Sequence, residues 1–119
     1  MILELPWPPK ELSPNARVHY LTFARAKNAY RESAYWLAKQ RDHGCTLSTT
    51  FMGPIALAFT FHPPDRRKRD LDNMLSSVKA GIDGIADALG VNDARFEYAL
   101  RRSEPVKGGR VVIVIGDGA

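Results

Sequence analysis

Residues 62–79 hold most of the side chains that could do chemistry, because a run of cations leads there directly into two carboxylates. The cations are Arg66, Arg67, Lys68 and Arg69. They are followed by Asp70-Leu71-Asp72-Asn73. Carboxylates alone would repel a phosphate, so a phosphodiester site built on them needs a divalent cation in between. Mg²⁺ prefers such hard oxygen ligands and takes only a few carboxylates.

A bound Mg²⁺ could polarise the scissile phosphate and lower the pKa of a bound water. The arginines would hold flanking phosphates through paired, charge-assisted hydrogen bonds. Each half of the pattern alone has an ordinary explanation: Asp70 could cap a helix, Asp72 could complement the helix dipole, and the cations could form a solvated loop. The two halves together favour a metal-dependent phosphodiester site.

The residues after this site predict one amphipathic helix over 71–89. Its apolar stripe consists of Leu71, Leu75, Val78, Ile82, Ile85 and Leu89, with Met74 at the edge. Asp70 stands at the N-cap position and Gly90 at the C′ position. Two glycines inside the predicted helix, Gly81 and Gly84, each cost about 1 kcal/mol relative to alanine. Either packing tolerates them, or they allow another backbone or DNA to approach closely.

A polar stripe flanks the apolar one on this helix. Asp72, Ser76, Lys79 and Asp83 fall within roughly 60° of one another on an ideal helix. The side chain of Lys79 points back towards the N-terminus, so it could approach a substrate phosphate. It could equally form an ordinary ion pair with Asp83 at i, i+4.

The elements that must position this segment follow the order β-α-β-α-β-β. Strands are predicted at 2–6, Ile55 to Phe61, 96–101 (half-buried) and Val111 to Ile115, with a helix at 23–42 that stops at Gly44. Four prolines make 6–16 a rigid loop. Lys107-Gly108-Gly109 is typical of a hairpin turn before the returning strand. We therefore expect a mixed α/β (α+β) domain over 1–119, with one sheet and two main helices.

Composition and charge narrow the class of protein. The 119 residues are 45% hydrophobic and 25% charged, which excludes wholesale disorder and a disulfide-dense scaffold. A net charge of +4 favours an anionic partner. The single Cys45 and the scattered His19, His43 and His62 argue against a structural zinc site. We expect no signal peptide, no membrane span, no small-molecule substrate and a cytoplasmic location.

The segment Pro63-Pro64-Asp65-Arg66-Arg67-Lys68-Arg69-Asp70-Leu71-Asp72-Asn73 resembles the signature of the RusA family of Holliday junction resolvases. Gly90-Val91-Asn92-Asp93, the N-terminal Leu5-Pro6-Trp7-Pro8-Pro9 and Lys107-Gly108-Gly109-Arg110 are similar to it as well, so the resemblance covers most of the chain. It implies a RusA-like fold and a phage or prophage endonuclease. Such an enzyme nicks four-way DNA junctions symmetrically as a homodimer, using Mg²⁺ or Mn²⁺.

The resemblance also assigns roles to residues. It places the family's three essential, metal-binding aspartates on Asp70, Asp72 and Asp93, although Asp93 alone is typical of a turn. The family often has a functional lysine where this chain has Ser76, and Lys79 lies one helical turn later. Either Lys79 takes over that catalytic role or the role is weakened. The implied DNA-binding residues are Arg66, Arg67, Lys68, Arg69, Asn73 and Ser76.

The position of Asp93 raises a geometric problem. A straight helix over 71–89 is about 27 Å long, so Asp93 would begin far from Asp70. The helix could start late or break at Gly81, the next strand could fold back, or Asp93 could serve the partner's site across a dimer.

The leading hypothesis is a structure-selective endonuclease of DNA recombination and repair. The alternatives are a non-catalytic junction-binding protein, such as a decayed resolvase, and a nuclease for flaps, other branched DNA or RNA.

Overall fold

The computed structural model describes residues 1–41 and 53–116 and contains one four-stranded mixed sheet with three helices. The strands are β1 (Ile2–Pro6), β2 (Ile55–His62), β3 (Phe96–Arg102) and β4 (Arg110–Ile115). The helices are α1 (Tyr20–Arg41), α2 (Leu71–Ser77) and α3 (Lys79–Leu89). Two single 3₁₀ turns lie at Lys10–Leu12 and Asp93–Arg95. The expected α+β class with one mixed sheet is confirmed.

The sheet has the order β1-β4-β2-β3. β2 runs parallel to β3 and antiparallel to β4, and β4 runs antiparallel to β1. Alternate residues of the strands face the helices and are buried, since period-two alternation places them all on one face. The members that are at most 2% exposed are Leu3, Leu5, Ile55, Leu57, Phe59, Phe61, Val111, Ile113 and Ile115. They pack against Val78, Ile82 and Ile85 in one core.

The prediction of a single helix over 71–89 is wrong, because the helix is interrupted at Val78. Val78 has φ −101° and ψ 5°, outside helical values, and it separates α2 from α3. The hydroxyl of Ser77 donates to the carbonyl of Asn73 at 2.9 Å, and such a bond to the i−4 carbonyl bends helices. The apolar stripe nevertheless faces the core, with Met74, Val78 and the α3 members buried and Leu71 and Leu75 half-buried. Gly90 ends α3 with φ 68°, as expected of a C′ glycine.

The two glycines of α3 let α1 approach closely. A Cβ at Gly84 would lie 2.2 Å from the carbonyl oxygen of Arg31, and one at Gly81 would lie 2.9 Å from the ring of Tyr30. The Tyr30 hydroxyl in turn donates to the carbonyl of Pro6 at 2.7 Å, and Arg31 pairs with Asp87. Of the two explanations offered for these glycines, packing against a protein backbone and ring is therefore the correct one.

The predicted hairpin between β3 and β4 is also wrong. Gly108 and Gly109 do form a turn, with φ 79° and 70°, but β2 lies between the two strands it was expected to join. After β3, the N–H of Ser103 donates to the carbonyl of Phe61, and that of Val106 donates to Pro63. The chain thus runs beside the end of β2 before it crosses to the opposite edge of that strand, where β4 pairs with it.

Smaller differences concern element ends and burial. Helix α1 begins at Tyr20, three residues earlier than predicted. Its predicted end at Asp42, the stop at Gly44, and His43 and Cys45 lie outside the described residues. β3 is an edge strand in which Phe96 alone is buried, so its predicted alternation is only partly present. Within the described ranges, no helix is both long and apolar enough to cross a membrane.

Candidate nucleic-acid interface and metal site

A basic groove lies between the N-terminal proline-rich loop and the start of α2. Its volume is about 460 Å³. The loop wall consists of Trp7, Pro8, Pro9, Lys10, Ser13 and Asn15, and the opposite wall consists of Arg67, Lys68, Arg69, Asp70, Asn73, Met74 and Ser77. Four cations therefore line the groove beside one carboxylate, that of Asp70. This is the charge pattern expected where a phosphate backbone binds.

Asp65 organises the cationic side of the groove. Its Oδ1 accepts a hydrogen bond from the backbone N–H of Arg67 at 3.0 Å and another from the Arg69 guanidinium at 2.8 Å. The Arg69 hydrogen bond is the largest cause that holds the pKa of Asp65 below its usual value, followed by the Arg67 N–H. Asp65 was not among the residues predicted to form the site. An Asp directly after two prolines is a typical side-chain-to-backbone turn, which was the available signal.

The arginines of the run differ in how they are held. Arg69 lies 5.6 Å from the centre of the Trp7 ring, and its side chain is only 22% exposed. Trp7 itself packs edge-on against Phe61, and a Cβ at Gly109 would come within 2.9 Å of it. Arg67, by contrast, is 83% exposed. Arg69 is thus a positioned group, whereas Arg67 extends from the surface, and Arg66 and Lys68 are exposed as well.

Asp70 occupies the N-cap position of α2 but does not cap it. Its backbone is extended, with φ −80° and ψ 141°, and its side chain makes no capping hydrogen bond. The carboxylate therefore remains available to a ligand in the groove. Asp72 lies in the first turn of α2, is exposed, and accepts a hydrogen bond from the N–H of Asn73 at 3.0 Å. The ordinary explanation of Asp70 as a simple cap is not what the geometry supports.

Asp93 lies at the other end of the sheet from Asp70. Asp70 comes eight residues after β2 ends at His62, and the preceding Arg69 carbonyl accepts a hydrogen bond from Arg102 at the end of β3. Asp93 instead lies three residues before Phe96, which pairs with Ile55 at the beginning of β2. The Arg95 side chain also donates to the carbonyl of Gly53 at 3.1 Å, just before β2. A strand of eight residues is about 26 Å long. A single chain therefore does not bring Asp93 to Asp70.

This placement rules out some of the ways in which Asp93 could approach Asp70. The helix breaks at Val78 rather than at Gly81, and the strand that runs back begins only after Asp93. Among residues 1–41 and 53–116, no group of three or more His, Cys, Asp or Glu side chains could hold a metal ion. The metal-binding roles of Asp70, Asp72 and Asp93 remain predictions.

The remaining predicted site residues lie around α2. Asn73 lines the groove, while Ser76 is exposed and lines a neighbouring hollow. Lys79 opens α3 with its ammonium 5.9 Å from the centre of the Tyr98 ring on β3. Neither of the two arrangements considered for Lys79 is seen in the described part of the chain, since it neither lines the groove nor pairs with Asp83.

The donor set suits a hard divalent cation. Mg²⁺ is commonly held by one or two carboxylates together with substrate phosphates, and it keeps several waters. Asp70 and Asp72 could supply those carboxylates, because the first is free of a capping bond and the second is exposed. The cations of the groove would hold the phosphates that complete such a site.

Fold and groove together define a small α+β protein with a surface suited to nucleic acid. No protein-family model matches the chain. An uncharacterised protein of Xylella fastidiosa is 45% identical over 114 residues, which cover 95% of this chain and 74% of the relative. The crossover junction endodeoxyribonuclease RusA of Enterobacteria phage 82 is 31% identical, and that of Escherichia coli K12 is 30% identical, each over 116 residues. Both alignments cover 95% of this chain and 91% of the relative. The chain belongs to the RusA family of crossover junction endodeoxyribonucleases.

Proposed function

We propose that this protein is a Mg²⁺-dependent endonuclease, active also with Mn²⁺, that resolves four-way DNA junctions by paired symmetric nicks. It would act in recombination and repair in the cytoplasm of a bacterial or phage-infected cell, and its origin would be a prophage. The observation that carries the proposal is the carboxylate of Asp70, which makes no capping hydrogen bond and lies in a groove whose other charged residues are all cations. The RusA relatives support the cleavage of DNA junctions, since they are named crossover junction endodeoxyribonucleases.

The residues of the groove have separate tasks in this proposal. Lys10, Arg67 and Lys68 bind phosphates on either side of the scissile bond. Arg69, held by Asp65 and the Trp7 ring, keeps the contacted phosphate at a defined place. Because these contacts are made to the backbone, they orient the strand without reading its sequence.

Two carboxylates would hold the metal ion in each protomer. Asp70 and Asp72 would bind Mg²⁺, which supplies Lewis acidity and an activated water when it is bound. Asn73, whose side chain lines the groove, offers amide donors to a phosphate or sugar oxygen. The proposed role of Lys79 requires its ammonium to leave the Tyr98 ring when DNA binds.

We further propose that the protein works as a homodimer through the open face of its sheet. One row on that face crosses all four strands and is entirely apolar: Ile2 pairs with Val114, Val114 with Ala58, and Ala58 with Ala99. Ile2 is 57% exposed, and Ala58 and Ala99 are exposed as well. An apolar row of this kind, without a charge at its centre, is suited to covering by a second protein surface.

The charges beside this row make the face complementary to itself. On β3, Glu97 and Arg101 lie on the same face, two residues before and two residues after Ala99. A twofold axis that crosses the strands at the apolar row sets Arg101 of one copy against Glu97 of the other, because it reverses the strand direction. A C2 dimer repeats each such contact. The same rotation moves Asp93 of the second copy to the end of the sheet that carries Asp70.

The decisive experiment compares nicking of a four-way junction, a flap and a linear duplex, each in Mg²⁺, in Mn²⁺ and with a chelator. We expect metal-dependent nicking of the junction in strands of like polarity, with little on the linear duplex. Junction binding without cleavage in either metal would instead identify a decayed, non-catalytic protein. Preferential nicking of the flap, or of RNA, would identify the third class of activity.

Placing a charge in the apolar row tests the dimer. Ala58→Glu should convert the dimer to a monomer in a mass measurement, because two carboxylates would be buried near each other at the interface. Ala29→Glu on α1 is the matched control, since Ala29 is exposed but lies on the helical side of the molecule. A wild-type protein that is monomeric with and without junction DNA would refute the assembly.

A further inference from the structure

Large apolar side chains are exposed in one place more than elsewhere. In the described residues, seven large hydrophobic side chains are exposed, and four of them fall within six residues at the start of α1. We call these four the apolar patch: Val18, Tyr20, Leu21 and Phe23. Tyr20 is 71% exposed and Leu21 50%. Neither side chain contributes to the core, so the fold itself does not explain them.

The apolar patch lies beside the groove and is continuous with it. Val18, Tyr20 and Phe23 line a hollow of about 430 Å³ together with Glu11, Ser13 and Ser76. Ser13 also lines the basic groove. Ser76 lies four residues after Asp72 in the unbroken helix α2, so the two side chains are about 40° apart around its axis. A strand held in the groove therefore reaches the patch with its next nucleotides.

Cations border the apolar patch on more than one side. A third hollow joins Lys10 and Arg17 to Val18 and again includes Ser13, while the groove supplies Lys10, Arg67 and Lys68. A partner that fits this surface carries closely spaced negative charges and also presents flat apolar faces. A nucleic acid with unstacked bases has both properties, because every base has a π-face and every nucleotide a phosphate.

The ring of Tyr20 is held by a neighbouring ring and remains exposed, as such a contact requires. Its ring stacks on His19, with 4.7 Å between ring centres and 28° between planes, while most of its surface remains exposed. We propose that Tyr20 and Phe23 form a stacking platform for the bases that lose their neighbours at the branch point of a bound DNA junction. This inference rests on the proposed function, and it assigns the selection of branched over linear DNA to the start of α1.

The test uses four-way junctions with 2-aminopurine placed at the branch point or in the middle of an arm, bound in the presence of a chelator so that nothing is cleaved. Wild-type protein should change the fluorescence of the branch-point probe only. Tyr20→Ala should abolish that change and weaken junction binding about tenfold, as expected for the loss of one stacked base. Its affinity for linear duplex should stay the same. Tyr20→Phe, which keeps the ring, should behave like wild type.

Trp36→Ala is the matched control. Trp36 is an aromatic residue on the same helix, 56% exposed, and it lies about 24 Å along the axis from Tyr20. If Tyr20→Ala and Trp36→Ala both match wild type while wild type binds and nicks junctions, the platform is overturned and the proposed function stands. A wild-type protein that binds no junction overturns both. Loss of the dimer in Tyr20→Ala would overturn the platform by showing that the patch contacts a second copy.

Discussion

The two ends of the sheet are equipped very differently. Near the C-terminal end of β2, one chain forms the basic groove and holds the Arg69 side chain in place. The Asp70 carboxylate lies in the same groove and makes no capping hydrogen bond. At the other end, Asp93 lies in an exposed 3₁₀ turn, whose start is capped by Asn92 through a hydrogen bond to the N–H of Ala94. The difference teaches that one chain forms the whole basic groove by itself but does not bring Asp93 to Asp70 and Asp72.

The largest expected effect concerns the carboxylate in the groove. Asp70→Asn should reduce junction cleavage in Mg²⁺ more than about a hundredfold, since even groups that only support a metal ligand are worth 10- to 100-fold. Binding should persist or tighten slightly, because a negative charge beside the phosphate is removed. Asp72→Asn should act in the same way, and Glu32→Gln on the exposed side of α1 serves as the control. Near-normal cleavage by either variant would exclude these residues as metal ligands.

The next prediction tests whether Asp93 of one copy completes the site that contains Asp72 of a second copy. Asp72→Asn and Asp93→Asn should each be inactive alone, yet a mixture should regain activity. In a mixed dimer with Asp93 acting in trans, one site carries both substitutions and the other carries none. An equal mixture should then have about a quarter of its sites intact, if the copies exchange freely in a twofold dimer. Single-strand nicking measured against wild type gives this number, and a mixture that stays inactive would place Asp93 in cis.

A smaller effect should distinguish two arginines that line the basic groove, Arg67 and Arg69. Arg67→Ala should lower the slope of log affinity against log salt by about 0.9, the value for one phosphate contact, without changing the melting temperature. Arg69→Ala should lower the slope and the melting temperature together, because Arg69 is half-buried between Asp65 and Trp7. Arg41→Ala, at the far end of α1, is the control. Equal melting temperatures for both groove variants would contradict the positioned role of Arg69.

The smallest effect is a pH dependence at Asp65. Hydrogen bonds from Arg69 and the Arg67 N–H lower its pKa in the folded protein, so this carboxylate stabilises the fold fully above its ordinary value of 3.8. The stabilisation is lost as the pH falls below 3.8 through the lowered pKa. The difference in melting temperature between wild type and Asp65→Asn should therefore be constant from pH 7 to 5 and shrink below pH 4. A difference that stays constant down to pH 3 would show that the contact does not persist in solution.

Several local features could be predicted because neighbouring residues decide them. A run of strand-forming residues located β2, an apolar run located β4, and the stripe of α2 and α3 identified the residues that face the core. Gly90 was placed correctly because a left-handed C′ residue follows directly from helix geometry and the lack of a Cβ. Arg67, Lys68, Arg69 and Asp70 were found in the same way, since they are consecutive in the chain. Lys10 was missed, because it reaches the groove from the distant proline-rich loop.

Other features depended on partners far along the chain. The hairpin was predicted from the turn residues Gly108 and Gly109 alone. A turn sequence does not show which strands pair, and in the sheet β2 rather than β3 lies beside β4. The reason for Gly84 became clear only with the carbonyl of Arg31 against it. The apolar patch was missed because its residues precede or begin α1, and sequence spacing does not show which apolar side chains of a helix remain exposed.

By itself, the sequence predicted the kind of chemistry, because carboxylates next to a cationic run can serve a phosphodiester only with a metal ion between them. It also determined where most helices and strands form, though not the interruption at Val78, because those choices depend on neighbours within a few residues. The tertiary structure alone decided that Asp70 and Asp93 lie at opposite ends of the sheet. The direction of β3 is set by its parallel pairing with β2, through hydrogen bonds between residues about forty positions apart, from Ile55 with Phe96 to Phe61 with Arg102.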